Sequence, residues 1–535
     1  YYLELIKKDL KKFNIFVKSQ DLIRYTCLPE KSEDFDRYFL NRDNHQIRNP
    51  ELFKRRILGT VSYYKGAKAD LLPSIVGTNI VECIMSSHQT KVYKQIRSTE
   101  RDKERVARRN NKTKKDDDSK ISSYYRVFSR ATCNFVFPED IDRPFPSGTS
   151  GYKEEDEKEM DESNFQEDNY QALKRRKNLK YEQDKNEAFN LLNSQKDKYL
   201  NLKNINQFST KYQQMFNNLQ KSKGTSFIYS QFRSLEGIGI LSLMLLANGY
   251  AEYKLIFNSD LNDWEEDILP EDEDKPKFAF YTGTETNEYK EIIKKIYNND
   301  LETLSPKLRN KIEQKGSNLN GNIIKVLFAT ASAAEGITLS NVRQVHITEP
   351  YWNPVRIQQV IGRAVRIKSH HGTPKWNLDP SERNVEIFIY LSVFDKQYFE
   401  SDYAWMRLDN FQTSDQKVYE IAENKKKITD GLFQLMKEAA IDCGLNSLDN
   451  QNINCYSFNN VTDNSEYSFI PNIDYDNRET LKKNVQQQIK YQKIIFRGKE
   501  YYLNKVTGEI YDYQSIIEYQ QNQGRKIKVG YLDKE

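Results

Sequence analysis

VLFATASAAEGITLSNVRQVHITEPYWNPVRIQQVIGRAVRIK, residues 326–368, decides the fold. A short apolar run closes on small hydroxyl residues, and a second apolar run follows. Asn353 and Pro354 then supply the cap and first-turn pair that opens a helix. On that predicted helix Gln359, Gly362, Arg363 and Arg366 recur at i, i+3, i+4 and i+7 and share one face, while Ile357, Val360, Ile361 and Val365 supply apolar packing on the other. A glycine in mid-helix is conformationally costly, and the two neighbouring guanidinium groups repel each other. Both features make sense where an anion approaches closely, because paired arginines in a cleft stabilise the charge that builds on a transferring γ-phosphoryl group. Upstream, Thr330 and Ser332 end the strand, and Glu335, Gly336, Ile337 and Thr338 form a turn. Hydroxyls and exposed N–H groups there suit the phosphate oxygens of a nucleic-acid strand. A strand-to-helix turn of this composition also serves structure alone.

The same rhythm extends outward from Gly224 to about Phe394. Apolar runs at 225–230, 277–282, 323–329, 342–348 and 385–392 alternate with helical stretches at Leu235–Asn248, Asn287–Tyr297 and Pro354–Ile367. Strand, helix, strand in this order predicts an α/β fold: a parallel sheet with helices on both faces and functional groups at the carboxyl ends of the strands. The acidic segment Asn262–Lys275 is expected to interrupt this unit and project into solvent.

At 535 residues the chain holds roughly three units of about 150 residues each. Hydrophobic residues are 37% and charged residues 30%, so part of the chain lies outside any packed core. The 82 basic and 77 acidic residues leave a net charge of +5, which confines any polyanion site to a local patch. Cys27, Cys83, Cys133, Cys443 and Cys455 are widely spaced without a C-x-x-C pair, which argues against a zinc ribbon and a disulfide framework and for an intracellular, reducing compartment. No metal ligand set is expected. There is no run of 18 apolar residues and no signal-peptide pattern at the first residues, so no membrane partner is expected. The chain opens on Tyr rather than Met, and is read as the C-terminal piece of a longer polypeptide.

Before the central unit, residues 1–80 are expected to hold helices (Asp34–Tyr38; Asn49–Lys65, capped by Asn49 and Pro50) left from the end of a preceding domain. Residues 81–146 should form a strand near Thr78–Ser86 and a basic helical region. In the latter, Arg97–Lys115 carries nine Lys or Arg against three acids, as a solvated face or as a nucleic-acid contact. Residues 147–170 read as an acidic linker. Residues 171–220 read as a helical lead-in whose Tyr212, Met215, Phe216 and Leu219 dock on the domain at 221–395. A helical extension (396–456) and a tail (457–535) with a small hairpin at Lys493–Leu503 and Glu509–Tyr513 follow.

The pattern Q-x-x-G-R-x-x-R at Gln359, Gly362, Arg363 and Arg366 resembles motif VI of the superfamily 2 helicases, and ATASAAEGITL (329–339) resembles their motif V. FIYSQFRSLEGIGILSLMLLANGY (227–250) resembles the motif IV region, and YTGTET (281–286) falls where the family has a strand and turn. LFKRRILGTVSYYKG (52–66), MSSHQTKVYKQIRSTE (85–100), SSYYRVFSRATCNFVFP (122–138) and EPYWNPVRIQQVIGRAVR (349–366) narrow the likeness to helicases of large nucleocytoplasmic DNA viruses. That lineage includes the small subunit of the poxvirus early transcription factor and related DNA-dependent nucleoside triphosphatases. The likeness covers roughly Leu28–Tyr456.

The resemblance implies two RecA-like domains with ATP and Mg2+ between them, this chain supplying the second. It implies Arg363 and Arg366 as arginine fingers, with Gln359, Gly362, Gly336 and Thr338 near the nucleotide. It places Thr330, Ser332 and Ser230 on the nucleic-acid backbone. It also implies nucleic acid as partner, DNA favoured over RNA, with transcription machinery nearby, and a place in the virion or the cytoplasmic virus factory. The chain departs from the family in having no G-x-x-x-x-G-K-[ST]; neither Asp161-Glu162 nor Asp272-Glu273 follows an apolar strand, as a magnesium-binding acid pair must. ATP and Mg2+ would therefore be held mainly by a first RecA-like domain outside this sequence, and the chain alone should not hydrolyse ATP. The alternative reading is a non-catalytic nucleic-acid-binding or partner-docking module.

Overall fold

The computed structural model describes residues 2–16, 25–42, 44–63, 71–110, 126–145, 169–331, 336–372, 378–445, 453–455, 472–476, 491–504, 509–520 and 527–532. The chain divides into two units, residues 1–65 with 427–535, and residues 66–426. The first unit begins with α1 (Tyr2–Lys12), α2 (Ser32–Phe39), a two-residue ladder of β1 (Leu40–Asn41) and β2 (Gln46–Ile47), and α3 (Pro50–Ile57). Helix α3 stops well short of Lys65, because Leu58 leaves the helical region and Gly59 turns the chain at φ +80°. Asn49 does not cap it. Its backbone is left-handed, and its amide donates to the Tyr38 carbonyl at 2.8 Å.

The second unit opens with β3 (Ser74–Ile84), α4 (Ser87–Asn110), α5 (Val127–Asn134), α6 (Asn169–Ser194), α7 (Lys196–Tyr199), α8 (Ile205–Phe208) and α9 (Thr210–Gln220). It continues through β4 (Thr225–Tyr229), α10 (Ile238–Ala247), β5 (Ala251–Glu252), β6 (Leu255–Asn258), β7 (Asp263–Glu266), β8 (Lys277–Tyr281), α11 (Asn287–Tyr297) and α12 (Pro306–Gln314). Then come β9 (Val326–Ala329), β10 (Val342–Ile347), α13 (Pro354–Ala364), β11 (Asn384–Val393), α14 (Tyr398–Ser401), α15 (Tyr403–Met406) and α16 (Ser414–Glu438), whose last residues belong to the first unit.

Seven strands form one parallel sheet in the order β3-β11-β10-β4-β9-β8-β5. The central strands β4, β9 and β10 are buried along their whole length, covered on both faces, and β10 buries Arg343, Gln344 and His346 among its apolar residues. One core layer joins β4, β9, β10 and β11 to α11, α12 and α13. The other joins β4, β9 and β11 to α9 and α10, with Tyr212, Met215, Phe216 and Leu219 buried as the 3–4 spacing predicts.

Three expectations change. Residues 74–84 form one continuous edge strand paired to β11, so a division at residue 80 would cut through it. The acidic segment Asn262–Lys275 does not simply project. The hairpin β6–β7 carries Trp264 against Tyr289, with ring centroids 5.8 Å apart. The Glu266 side chain is buried, 2.9 Å from Lys315 and 3.4 Å from Lys311 of the α12 region, and Lys307 pairs with Glu265. Asn262 at the tip and Asp267, Leu269, Pro270, Glu271, Glu273 and Asp274 after the hairpin are exposed. In the basic run the first arginines turn inward. Buried Arg97 is 3.0 Å from Asp409 and 3.3 Å from Glu100, and Arg101 lies 3.3 Å from Asp409 and over the Trp405 ring. These two therefore build structure rather than a nucleic-acid contact, and residues 111–115 of the run lie outside the described residues, as does the linker 147–168.

The first unit resumes after α16 and closes with β12 (Tyr491–Phe496), β13 (Lys499–Asn504), β14 (Glu509–Asp512), α17 (Tyr513–Gln520) and β15 (Lys528–Tyr531). What the sequence suggested as a two-stranded hairpin is an antiparallel sheet of four strands, because Arg497 and Gly498 both take positive φ and fold Lys493–Leu503 back on itself. Cys443 and Cys455 form a disulfide with Cα atoms 5.6 Å apart, although their spacing gave no sign of it. Cys27, Cys83 and Cys133 are free. Among the described residues no helix is long and apolar enough to cross a membrane, and no His, Cys, Asp and Glu cluster could hold a metal ion.

Candidate functional site

Two segments meet at the end of α13, each held by its own local geometry. Helix α13 starts where the Asn353 side chain accepts from the Val355 N–H at 3.1 Å and Pro354 sets the first turn. Val360 and Ala364 are buried, and Ile357, Ile361 and Val365 pack against the same core. The loop before β10 is fixed by Asn298, the residue after α11. Its amide nitrogen donates to the Thr338 carbonyl at 2.9 Å, and its amide oxygen accepts from the Ser340 N–H at 2.8 Å. The Leu339 N–H donates to the Arg363 carbonyl at 2.9 Å, which ties the loop to the helix.

Arg366 does not share a helix face with Arg363. The helix ends at Ala364, and Val365 has left the helical region. The Arg366 guanidinium instead folds back, donating from Nε to the Gly362 carbonyl at 3.2 Å and from Nη1 to the Thr338 hydroxyl. Arg363 Nε is buried without a hydrogen-bond partner among the described residues, where neither arginine has a carboxylate partner. A Cβ at Gly362 would meet nothing within 4 Å, so this side of the helix is open, and the preceding turn's Gln359 is exposed. Gly336 lies at φ +78°, a backbone that only glycine takes without strain, and also borders open space. Behind the loop, the His370 ring is buried with Nε2 2.7 Å from the Val342 carbonyl and Nδ1 2.9 Å from Ser369 Oγ, and burial pushes its pKa down to about 4.

Two guanidinium groups with no carboxylate partner among the described residues, beside an open helix face and a glycine turn, make an anion-ready surface. Residues 210–368 match the family described as "Helicase conserved C-terminal domain".

Residues 210–368 thus resemble the C-terminal domain of helicases.

The chain is 28% identical to "Putative ATP-dependent RNA helicase R350" of Acanthamoeba polyphaga mimivirus, over 92% of this chain and 63% of that relative. It is 27% identical to "Termination factor NPH-I homolog" of African swine fever virus, over 57% and 42%. It is also 27% identical to "Putative helicase 087L" of Invertebrate iridescent virus 3, over 45% and 21%. The chain thus spans less than two thirds of these relatives' length. It resembles the superfamily 2 helicases of large DNA viruses. Among solved structures, the C-terminal part of the Fun30 ATPase domain is similar at 14% identity and a TM-score of 0.33, over 67% of this chain and 98% of that one.

Within residues 210–368 the structure brings Gly336, Thr338, Gln359, Gly362, Arg363 and Arg366 into two adjoining segments. It does not bring Ser230 to the surface. Ser230 is fully buried, and its hydroxyl is 3.0 Å from both carboxylate oxygens of Glu349. Glu349 also accepts from Asn134 at 3.1 Å, and burial pushes its carboxyl up. Lys211, wholly buried, bridges Asn134 Oδ1 at 2.8 Å and Asp415 at 2.6 Å, and Asp415 accepts the Ser392 N–H at 3.0 Å. Ser230 therefore belongs to a polar network sealing the carboxyl ends of β4, β10 and β11, and is no backbone contact in this conformation. Thr330 is likewise buried, and Ser332 lies outside the described residues.

Sequence reasoning missed other polar groups at the carboxyl ends of the strands. After β4, half-buried Gln231 meets Arg130 at 2.6 Å, while Arg233 donates to Thr282 at 3.1 Å and to Thr284, both just after β8. The position of Gln231 and Arg233 directly behind an apolar strand was the available signal.

Proposed function

We propose that the chain is the C-terminal half of an ATP-dependent nucleic-acid helicase or translocase, DNA favoured as its track, acting in transcription of a large DNA virus in the infected cell. The observation that carries this reading is the pair Arg363 and Arg366, without carboxylate partners among the described residues, beside the open faces of Gly362 and Gly336 within a helicase C-terminal domain. A bound triphosphate supplies the phosphoryl group whose transfer drives the motor. Toward it, Arg363 and Arg366 present positive charge, Gly362 leaves room, and Thr338 holds Arg366 in position until the anion arrives. Gln359 lies one turn earlier at the mouth of the same face. The orphaned Arg363 Nε fits a phosphate oxygen, a partner the described residues do not provide. Gln231 and Arg233 replace Ser230 as the groups offered to the nucleic-acid backbone.

The test is ATP turnover by the protein joined to its upstream half, with single-stranded and duplex DNA and RNA as stimulators. Arg366→Ala and Arg363→Ala should each lower stimulated turnover by about 10³-fold or more while nucleic-acid affinity holds. Turnover retained in both variants would overturn the assignment and favour a binding or docking module.

A further inference from the structure

The four-stranded C-terminal sheet carries one row of side chains that its register places on a single face. Lys493 of β12 is opposite Tyr502 of β13, Tyr502 is opposite Tyr511 of β14, and Tyr511 is opposite Lys528 of β15. Directly opposed residues point to the same side of a sheet, so two tyrosines lie in the middle with a lysine at either end. Tyr513 stacks on Tyr502 with ring centroids 4.9 Å apart and planes 16° from parallel, and Tyr531 adds a fourth ring, 63% exposed. Lys493 and Lys528 are paired with Glu500 at 2.6 Å and Glu509 at 2.9 Å. The Lys493 pair is exposed and the Lys528 pair half-exposed, and such surface pairs exchange readily for another anion.

We propose that this face binds single-stranded nucleic acid, bases lying on the tyrosine rings and phosphates meeting Lys493 and Lys528. Aromatic rings set on an open sheet are a stacking platform for unpaired bases, and flanking cations track the backbone. Charge favours this occupant over a peptide, since residues 491–532 hold seven Lys or Arg against four Asp or Glu. The row lies in the first unit, apart in sequence from the helicase domain, and the proposal does not rest on the ATP-site reading.

The test uses the whole chain and a short single-stranded oligonucleotide carrying 5-iodouridine. Photocrosslinking followed by peptide mapping should place adducts within residues 491–532 of the unaltered protein. Fluorescence anisotropy should show Tyr511→Ala with Tyr531→Ala weakening single-strand binding about tenfold, while Tyr511→Phe retains it. Crosslinks confined to residues 210–368, with affinity unchanged in the double variant, overturn the proposal. So does a proline-rich peptide that crosslinks to this face and that the oligonucleotide fails to displace.

Discussion

Two glycines of the candidate site predict stability changes of opposite sign. Gly362 is helical and faces open space, so Gly362→Ala adds a methyl that meets nothing and gains helix propensity worth about 0.5–1 kcal/mol. For a unit of this size that raises the unfolding midpoint by roughly 1–4 °C. Gly336 also faces open space, yet its φ of +78° is left-handed, so Gly336→Ala should cost about 1–2 kcal/mol and lower the midpoint by several degrees. Both can be measured by circular dichroism on the chain as it stands. The functional arm needs the protein with its upstream half. If the triphosphate approaches along the Gly362 face, the stabilised Gly362→Ala variant should lose ATP turnover by about tenfold or more, the usual scale for a misplaced reacting group. A variant that gains stability and keeps full turnover would refute the approach along that face. A variant that loses stability would refute the open space itself.

Three further outcomes follow from buried groups. Lys211→Met strands Asp415 in the interior and should cost about 3–5 kcal/mol in chemical denaturation; a loss under about 1 kcal/mol would show that the pair does not hold the strand ends together. The unfolded chain protonates its histidines near pH 6.5, whereas burial delays His370 to about 4, so the unfolded state binds the extra proton between those values. Stability is then full above about pH 6.5 and drains by roughly 3 kcal/mol as the pH falls to about 4, and His370→Asn should flatten that slope. Cys443→Ser opens the loop closed by the disulfide across a separation of 12 and should cost about 3 kcal/mol, with reductant producing the same shift in the unaltered chain.

The parallel sheet was legible because its central strands are short, mostly apolar runs buried on both faces, and α11 was read to the residue. Tyr212, Met215, Phe216 and Leu219 announced the docking of α9 by spacing alone. The hairpin β6–β7 was illegible for a physical reason: its glutamates are acceptable near the core only because Lys307, Lys311 and Lys315 arrive from α12, and such compensation has no local sequence sign. Arg97 was misread for the same reason, since Asp409 lies some three hundred positions away. The i+7 spacing of Arg366 held only as long as the helix, which ends two residues before it. Ser230 was placed on the nucleic-acid backbone by the family resemblance, whereas here Glu349, itself bound by Asn134, takes its hydroxyl. Arg497 in a two-residue turn defeats the usual Asn-Gly signal, and with it the number of strands in the tail.

The pairing of β3 with β11 has a mechanical consequence. The chain joins the sheet at Ser74 and leaves it at Val393, on strands that run side by side in the same direction through ten paired positions. Tension applied along the backbone through those two points pulls the neighbours past each other lengthwise. Every rung of that ladder then resists at once, whereas antiparallel neighbours joined at one end would peel open rung by rung. Any load passed through the second unit between those two points is carried by the outermost seam in its strongest direction.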